Sequence, residues 1–309
     1  MVYTLTFCPS LEYSAALEDV EVGADNIVSN GDLHVSGSGA IIAKVLNELS
    51  VQSTVLGFAA GFIGGEIEEI LRRRGINTDI VYLESGLSPL NVVFNHGANG
   101  EKRTRFAAPQ LDISNNDLMA LFARLENLSD GDVLVLSGEV PPCIPADIYS
   151  HIPDAFAGKN VQIILDVPSE PLAKCLQFQP FLVVTDSKRL AEIFGEPPET
   201  EEQILAYINQ IQDLGAQNVL AFSDIDNTVI LLDGNKSVLK QTAQAVPFGE
   251  TALNAMTAGF IAGSEDNDVD NEYALMLAAA AQRAAAAEKG VPPRAAIISI
   301  MKDLMKNHS

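Results

Sequence analysis

Short apolar runs alternate with amphipathic stretches along most of this chain. Val2 to Phe7 alternates as a strand does, and Thr54 to Phe58, Asp132 to Leu136, Val161 to Leu165, Phe181 to Val184 and Val219 to Phe222 are near-continuous apolar runs of strand length. Such runs are expected of strands covered on both faces of a sheet. Between them, Gly39 to Leu49, Gly64 to Arg74, Ser114 to Glu126 and the stretch carrying Ile204, Ile208 and Ile211 place apolar residues on one side of a helix. Local signals mark the ends. Ser114 with Asp117 and Thr200 with Gln203 have capping-box spacing, and Gly75 and Gly215 read as helix stops. Glu68–Arg72 and Glu69–Arg73 have the spacing of helical ion pairs. Roughly the last 60 residues read as three helices. The alternation predicts an α/β layered fold with a mostly parallel central sheet. Two half-polar stretches, Leu17 to Val35 and Pro89 to Phe106, break it. They predict a small β lid, built from about residues 11–36 and 86–107, inserted in a single domain spanning residues 1–309. In open α/β sheets a ligand sits at the carboxyl ends of the strands, where a lid can close on it.

Composition narrows the partners. The chain has 309 residues, 47% of them hydrophobic, enough for one large core. Nineteen basic residues face 41 acidic ones, a net charge of -22. That surface argues against nucleic acid and anionic membranes as partners, since both require a cationic face. Cys8, Cys143 and Cys175 lack metal or redox spacing, which fits a reducing, cytoplasmic setting. The opening MVYTLTF reads as a strand and not as a secretory leader. The Ala-rich stretch Tyr273 to Ala287 carries Gln282 and Arg283 and reads as a buried helix.

Six segments carry a resemblance. TLTFCPSLEY is similar to a T-x-N-P-A-L-D opening, and SGSGAIIAKVLNEL to GGKGINVSRVLKxL. STVLGFAAGFIGGEIEEIL is similar to STALGFxGGFxGxxIExxL, and VLVLSGEVPPCIPADIY to VVxGSxPxxxPxDxY. IILDVPSEPL is similar to VVDTSGxxL, and MTAGFIAG to the helix after a GAGD motif. In this order they resemble the PfkB-type, ribokinase-like carbohydrate kinases, in the branch of 1-phosphofructokinases and tagatose-6-phosphate kinases. The resemblance implies a ribokinase-like sheet domain with a β lid, ATP and Mg²⁺ as cofactors, a sugar phosphate as substrate, and a lid-to-lid homodimer or a heterodimer with an intact paralogue.

The turn-setting positions of those motifs remain: Pro9, Gly37, Gly39, Gly57, Gly61, Gly64, Gly138, Pro141, Pro145 and Gly259. The chemical positions differ. Where the family has its anion-hole glycines and catalytic Asp, this chain has Thr251, Ala252, Leu253 and Asn254. Asn has the shape of Asp but accepts no proton at neutral pH. On the substrate side the family's Asp stands as Glu12, its phosphate-binding Lys as Ser38 between Gly37 and Gly39, and the following Asn as Ile41. Of the lid's R-x-N-x-K only Asn91 survives, flanked by Pro89 and Val93. On the nucleotide side KPNxxE becomes Val184, Thr185, Asp186 and Arg189, and the glycines of SxGxxG become Asp224 and Asn227. Asp186 is either an oxygen ligand for Mg²⁺ or a helix N-cap; no metal site is assigned. Lys102, Arg103 and Arg105 form a basic cluster on the second lid segment, read either as an anion site or as a solvated strand face. Loss of base, glycines and phosphate Lys together makes a pseudokinase, acting in binding or regulation, the expected reading. The alternative is a functioning ATP-dependent kinase of a fructose 1-phosphate-like sugar with altered site residues.

Overall fold

A computed structural model describes residues 1–18, 20–28, 30–97, 102–244, 250–264, 271–288 and 290–307. In chain order its strands are β1 (Val2–Leu5), β2 (Ser10–Ala16), β3 (Gly31–Ser36), β4 (Ser53–Ala59), β5 (Asn77–Tyr82), β6 (Leu90–His96), β7 (Lys102–Phe106), β8 (Val133–Ser137), β9 (Gln162–Asp166), β10 (Leu182–Asp186), β11 (Asn218–Ser223), β12 (Thr228–Leu232) and β13 (Val238–Thr242). Its helices are α1 (Ser38–Glu48), α2 (Gly61–Arg73), α3 (Asn115–Leu125), α4 (Ser169–Cys175), α5 (Ser187–Phe194), α6 (Glu201–Asp213), α7 (Glu250–Ser264), α8 (Asn271–Glu288) and α9 (Arg294–Asn307).

The large sheet runs β13-β12-β11-β10-β9-β8-β1-β4-β5. It is parallel from β11 to β5 and ends in an antiparallel hairpin, β12–β13. Strand alternation splits its side chains between two cores. Leu134, Leu136, Ile163 and Leu165 pack with Leu121, Tyr149 and Ile208 on one face. Val135 and Ile164 pack with Ile42, Met256 and Ala278 on the other. On that second face α7 lies close against the Ala-rich α8. A Cβ on Gly259 would come within 2.6 Å of the Leu277 carbonyl oxygen, so only glycine allows this approach.

The lid is a four-stranded sheet, β3-β2-β6-β7, with β2 and β6 parallel and both outer pairings antiparallel. Its strands match the two expected segments, except that β2 begins at Ser10, one residue before the first. Among the described residues between Leu17 and Val35, however, only those from Gly31 on are strand, because the polar run before Gly31 offers no face to bury. Both capping boxes form, at Ser114–Asp117 and Thr200–Gln203. The expected Glu68–Arg72 pair does not: Glu68 accepts from Thr78 Oγ1 at 2.9 Å and from the Tyr82 hydroxyl at 2.7 Å. Glu69 takes both Arg72 and Arg73, at 3.0 and 2.9 Å. The helix expected from Gly64 starts at Gly61.

Candidate active site at the carboxyl ends of the strands

The site begins where β1 meets the lid. Gly39, in the first turn of α1, donates its N–H to Thr6 Oγ1 at 2.6 Å, and Thr6 Oγ1 lies 3.3 Å from Ser137 Oγ. A Cβ on Gly39 would stand 2.6 Å from Thr6 Oγ1, so this contact requires glycine. The next turn is fixed by Tyr149, the tyrosine of the VLVLSGEVPPCIPADIY segment. Its buried hydroxyl donates to the carbonyls of Ser137 and Gly138, at 2.9 and 3.1 Å. Gly138 in turn lies beside the Ser38 side chain.

Register sets the inner face of the lid. Glu12 pairs with His34 and Asn91, Val93 with Arg105, and Asn95 with Arg103. Glu12 is buried, at 7% exposure, with Arg103 Nη2 3.5 Å, Arg105 Nε 3.6 Å and His34 Nε2 3.7 Å from its carboxylate. Asn91 is also buried; its Nδ2 donates to Ser10 Oγ at 3.1 Å and its Oδ1 accepts from Ala108 N at 3.0 Å. Burial lowers the pKa of His34, and Lys44 adds to this against the pull of Glu12 and Asp32. Below the lid, Lys44 donates to the Val35 carbonyl at 2.5 Å; burial pulls its pKa down to about 8. Lys102 is a correction to the expected cluster. Alternation along β7 places it on the opposite face from Arg103 and Arg105. Ile41, expected at a substrate position, is 8% exposed, close to the 7% of Glu12.

The other end is built around Asp166, which has no exposed surface at the end of β9. Its Oδ1 accepts from Arg189 Nη1 at 2.7 Å and its Oδ2 from Thr257 Oγ1 at 3.0 Å. Burial opposes the charge of Arg189, but Asp166, then Asp186 and Glu250, outweigh it and raise its pKa. Asn254 lies one turn before Thr257 on α7, 1% exposed, with its Nδ2 buried and without a hydrogen-bond partner. Of the neighbouring anion-hole positions, Thr251 is half-buried while Ala252 and Leu253 sink into the second core. The residues just before them, 245–249, lie outside the described residues.

Asp186 resolves as the N-cap of α5, accepting from Arg189 N at 2.7 Å, with Arg189 Nε 3.9 Å away. The cap occupies Oδ1, and Oδ2 faces the Arg189 guanidinium. Among the described residues no three His, Cys, Asp or Glu side chains gather as a metal site. Asp224 sits in the exposed β11–β12 turn, where its N–H donates to Ser187 Oγ at 3.3 Å. Asn227 has φ 53°, so the turn keeps a left-handed residue, which Asn tolerates better than most.

The structure thus gathers Glu12, Asn91, Arg103 and Arg105 under the lid, beside the turn of Gly37, Ser38 and Gly39. It ties Arg189 and, through Thr257, α7 to Asp166, with Asp186 beside Arg189. His34, Thr6, Asp166 and Thr257 were not singled out from the sequence. Asp166 was legible in the IILDVPSEPL segment; the others are ordinary polar residues that only the fold brings to the site.

Comparison with known proteins identifies the family. The family model described as pfkB family carbohydrate kinase matches residues 11–291. The chain is 30% identical to a 1-phosphofructokinase of Bacillus subtilis over 272 residues, 85% of each chain. It is 29% identical to a D-tagatose-1-phosphate kinase of Bacillus licheniformis over 294 residues, 94% of each. Phosphofructokinase-2 from Escherichia coli in complex with fructose-6-phosphate superposes with a TM-score of 0.85, covering 98% of this chain and 99% of that one, at 19% identity. With the family model spanning most of the chain and a relative at 30% identity over 85% of it, this chain belongs to the PfkB family of carbohydrate kinases.

Proposed function

We propose that this chain is an ATP-dependent sugar-phosphate kinase of the 1-phosphofructokinase and tagatose-phosphate kinase kind, with a weakened transfer site. The observation that carries this reading is the 30% identity to a 1-phosphofructokinase over 85% of the chain, and the buried Glu12 with Arg103 and Arg105 beside it supports it. Glu12 accepts a sugar hydroxyl, and the backbone at Gly37 to Gly39 lies against the sugar. Phosphoryl transfer depends mainly on positioning and electrostatic stabilisation. The first-turn N–H groups of α7 supply part of that to an anion. Asn254 orients the attacking hydroxyl without taking its proton, so the base's contribution of about 10²–10⁴ in rate is missing. ATP supplies the phosphoryl group, with the β11–β12 turn beside it; no step is assigned to a metal held by Asp186.

A coupled assay with ATP and fructose 1-phosphate, tagatose 1-phosphate or their 6-phosphate isomers tests this. Slow turnover that disappears in Glu12→Ala is expected. No turnover with any of them, although one of them binds, would leave the second reading.

That second reading is a pseudokinase that binds without transfer, and four substitutions favour it: Asn254 and Leu253 on α7, Arg189 beside Asp166, and Asp224 in the turn. Assembly through the lid belongs to both readings. Leu33, Tyr13, Val92 and Phe106 form one row across the outer face. Leu33 and Phe106 are 45% and 60% exposed, an apolar surface suited to a second lid, either of this chain or of an intact paralogue. A monomeric mass in solution scattering at high concentration would exclude the homodimer.

A further inference from the structure

We propose that Arg103 and Arg105 form an anion clamp on the inner face of the lid, holding the phosphate ester of a sugar whose hydroxyls face Glu12. This rests on the reading of the lid as the cover of a phosphosugar site. Arg103 and Arg105 are two residues apart on β7, which puts both side chains on one face with their Cα atoms roughly 7 Å apart. Both approach the same buried carboxylate, yet neither closes on it: the nitrogen–oxygen distances are 3.5 and 3.6 Å. Arg189 shows what a closed pair looks like in this protein, 2.7 Å from Asp166. The Arg103 and Arg105 side chains keep 35% and 46% of their surface exposed, whereas Glu12 keeps 10%. Each guanidinium carries five N–H donors, so most of these donors are free to meet a third group.

The charge count favours an anion as that group. Arg103, Arg105 and Lys44 surround Glu12 and Asp32, three cations to two carboxylates, which leaves one uncompensated positive charge inside a chain of net charge -22. The chemistry around it narrows the ligand further. A buried carboxylate beside Asn91 takes hydroxyls, and paired guanidinium forks take a tetrahedral dianion. A ligand with both features is a sugar phosphate. A sugar acid offers a single planar carboxylate, which one fork satisfies. The positions that bind phosphate elsewhere in the family motifs stand here as Ser38, Pro89 and Val93, none of them cationic.

Calorimetric titration of the full chain with fructose 1-phosphate, fructose and gluconate is the test. The native chain should bind fructose 1-phosphate at least tenfold more tightly than either other ligand. The double variant Arg103→Ala/Arg105→Ala should lose roughly 100-fold for the phosphate ester, about tenfold per charge-assisted contact, and little for fructose. Arg105→Lys should retain part of the loss at that position, and thermal unfolding should show the variants folded. No preference for the ester over fructose, a preference for gluconate, or an equal loss for fructose and its ester in the double variant would overturn the clamp. Phosphosugar binding that depends on both arginines without any turnover would sustain the clamp and remove the kinase. Unchanged turnover in the double variant would do the reverse.

Discussion

Two regions of the molecule carry arginine–carboxylate contacts of opposite kinds. Under the lid, Arg103 and Arg105 stand 3.5 and 3.6 Å from Glu12, partly exposed and unclosed. At the α7 end, Arg189 is locked onto Asp166 at 2.7 Å, with Thr257 occupying the other carboxylate oxygen. The first arrangement leaves donors available for a ligand; the second consumes them in holding the fold. A basic residue in a kinase site is therefore informative only with its partner distances, since the same residue type serves recognition at one end and structure at the other.

The largest effect expected from breaking this contrast is at Arg189. Arg189→Ala leaves Asp166 buried without its cation, and breaking one partner of such a pair costs about 3–5 kcal/mol. Chemical denaturation should show that loss, and the double variant Arg189→Met/Asp166→Asn should recover most of it. A loss below about 1 kcal/mol, the range of exposed pairs, would mean that the pair is not a structural lock.

Lys44, beneath the lid, gives a smaller effect of defined sign. Burial lowers its pKa from 10.5 to about 8, with Arg74 adding to the shift and Asp32 and Glu12 opposing it. Between those values the unfolded chain binds more protons than the folded one, so this group makes stability rise with pH across that window. Relative to Lys44→Met, the native chain should gain on the order of 2–3 kcal/mol between pH 8 and 10.5. Measuring the difference between the two proteins removes the opposite trend from Cys8, whose thiol burial pushes up to about 11. Parallel pH profiles for the two would contradict the buried-lysine account.

The smallest effect concerns the nucleotide. Asp224 adds a negative charge in an exposed turn, where it can swing toward solvent. Asp224→Gly should tighten ATP binding about fivefold at low salt, a gain of about 1 kcal/mol that shrinks as salt screens it. Tight ATP binding that Asp224→Gly leaves unchanged would separate this turn from the phosphates.

What the sequence made legible follows the range of each interaction. The Ser114–Asp117 and Thr200–Gln203 capping boxes act over three residues, so spacing alone identifies them. Parallel strands such as β8 and β9 announce themselves because burial on both faces leaves only apolar side chains. β5 was missed because, at the sheet edge, only Ile80 and Val81 along it are buried. Glu12, Asn91 and Asn254 are site candidates through motif position alone. The Asp166–Arg189 pair is not legible that way, since 23 residues separate its members and only the order of β9 and β10 joins them. Lys102 was grouped with Arg103 and Arg105 by adjacency, and strand alternation then divides them.

The most direct test is at Asn254. The account makes the missing base, and not substrate capture, the limit on turnover. Phosphosugar affinity by calorimetry and kcat by coupled assay, measured together on the native chain and on Asn254→Asp, address it. A rise in kcat of about 100-fold or more, with phosphosugar affinity unchanged, is the predicted result. An unchanged kcat in a folded variant that still binds its phosphosugar would contradict it.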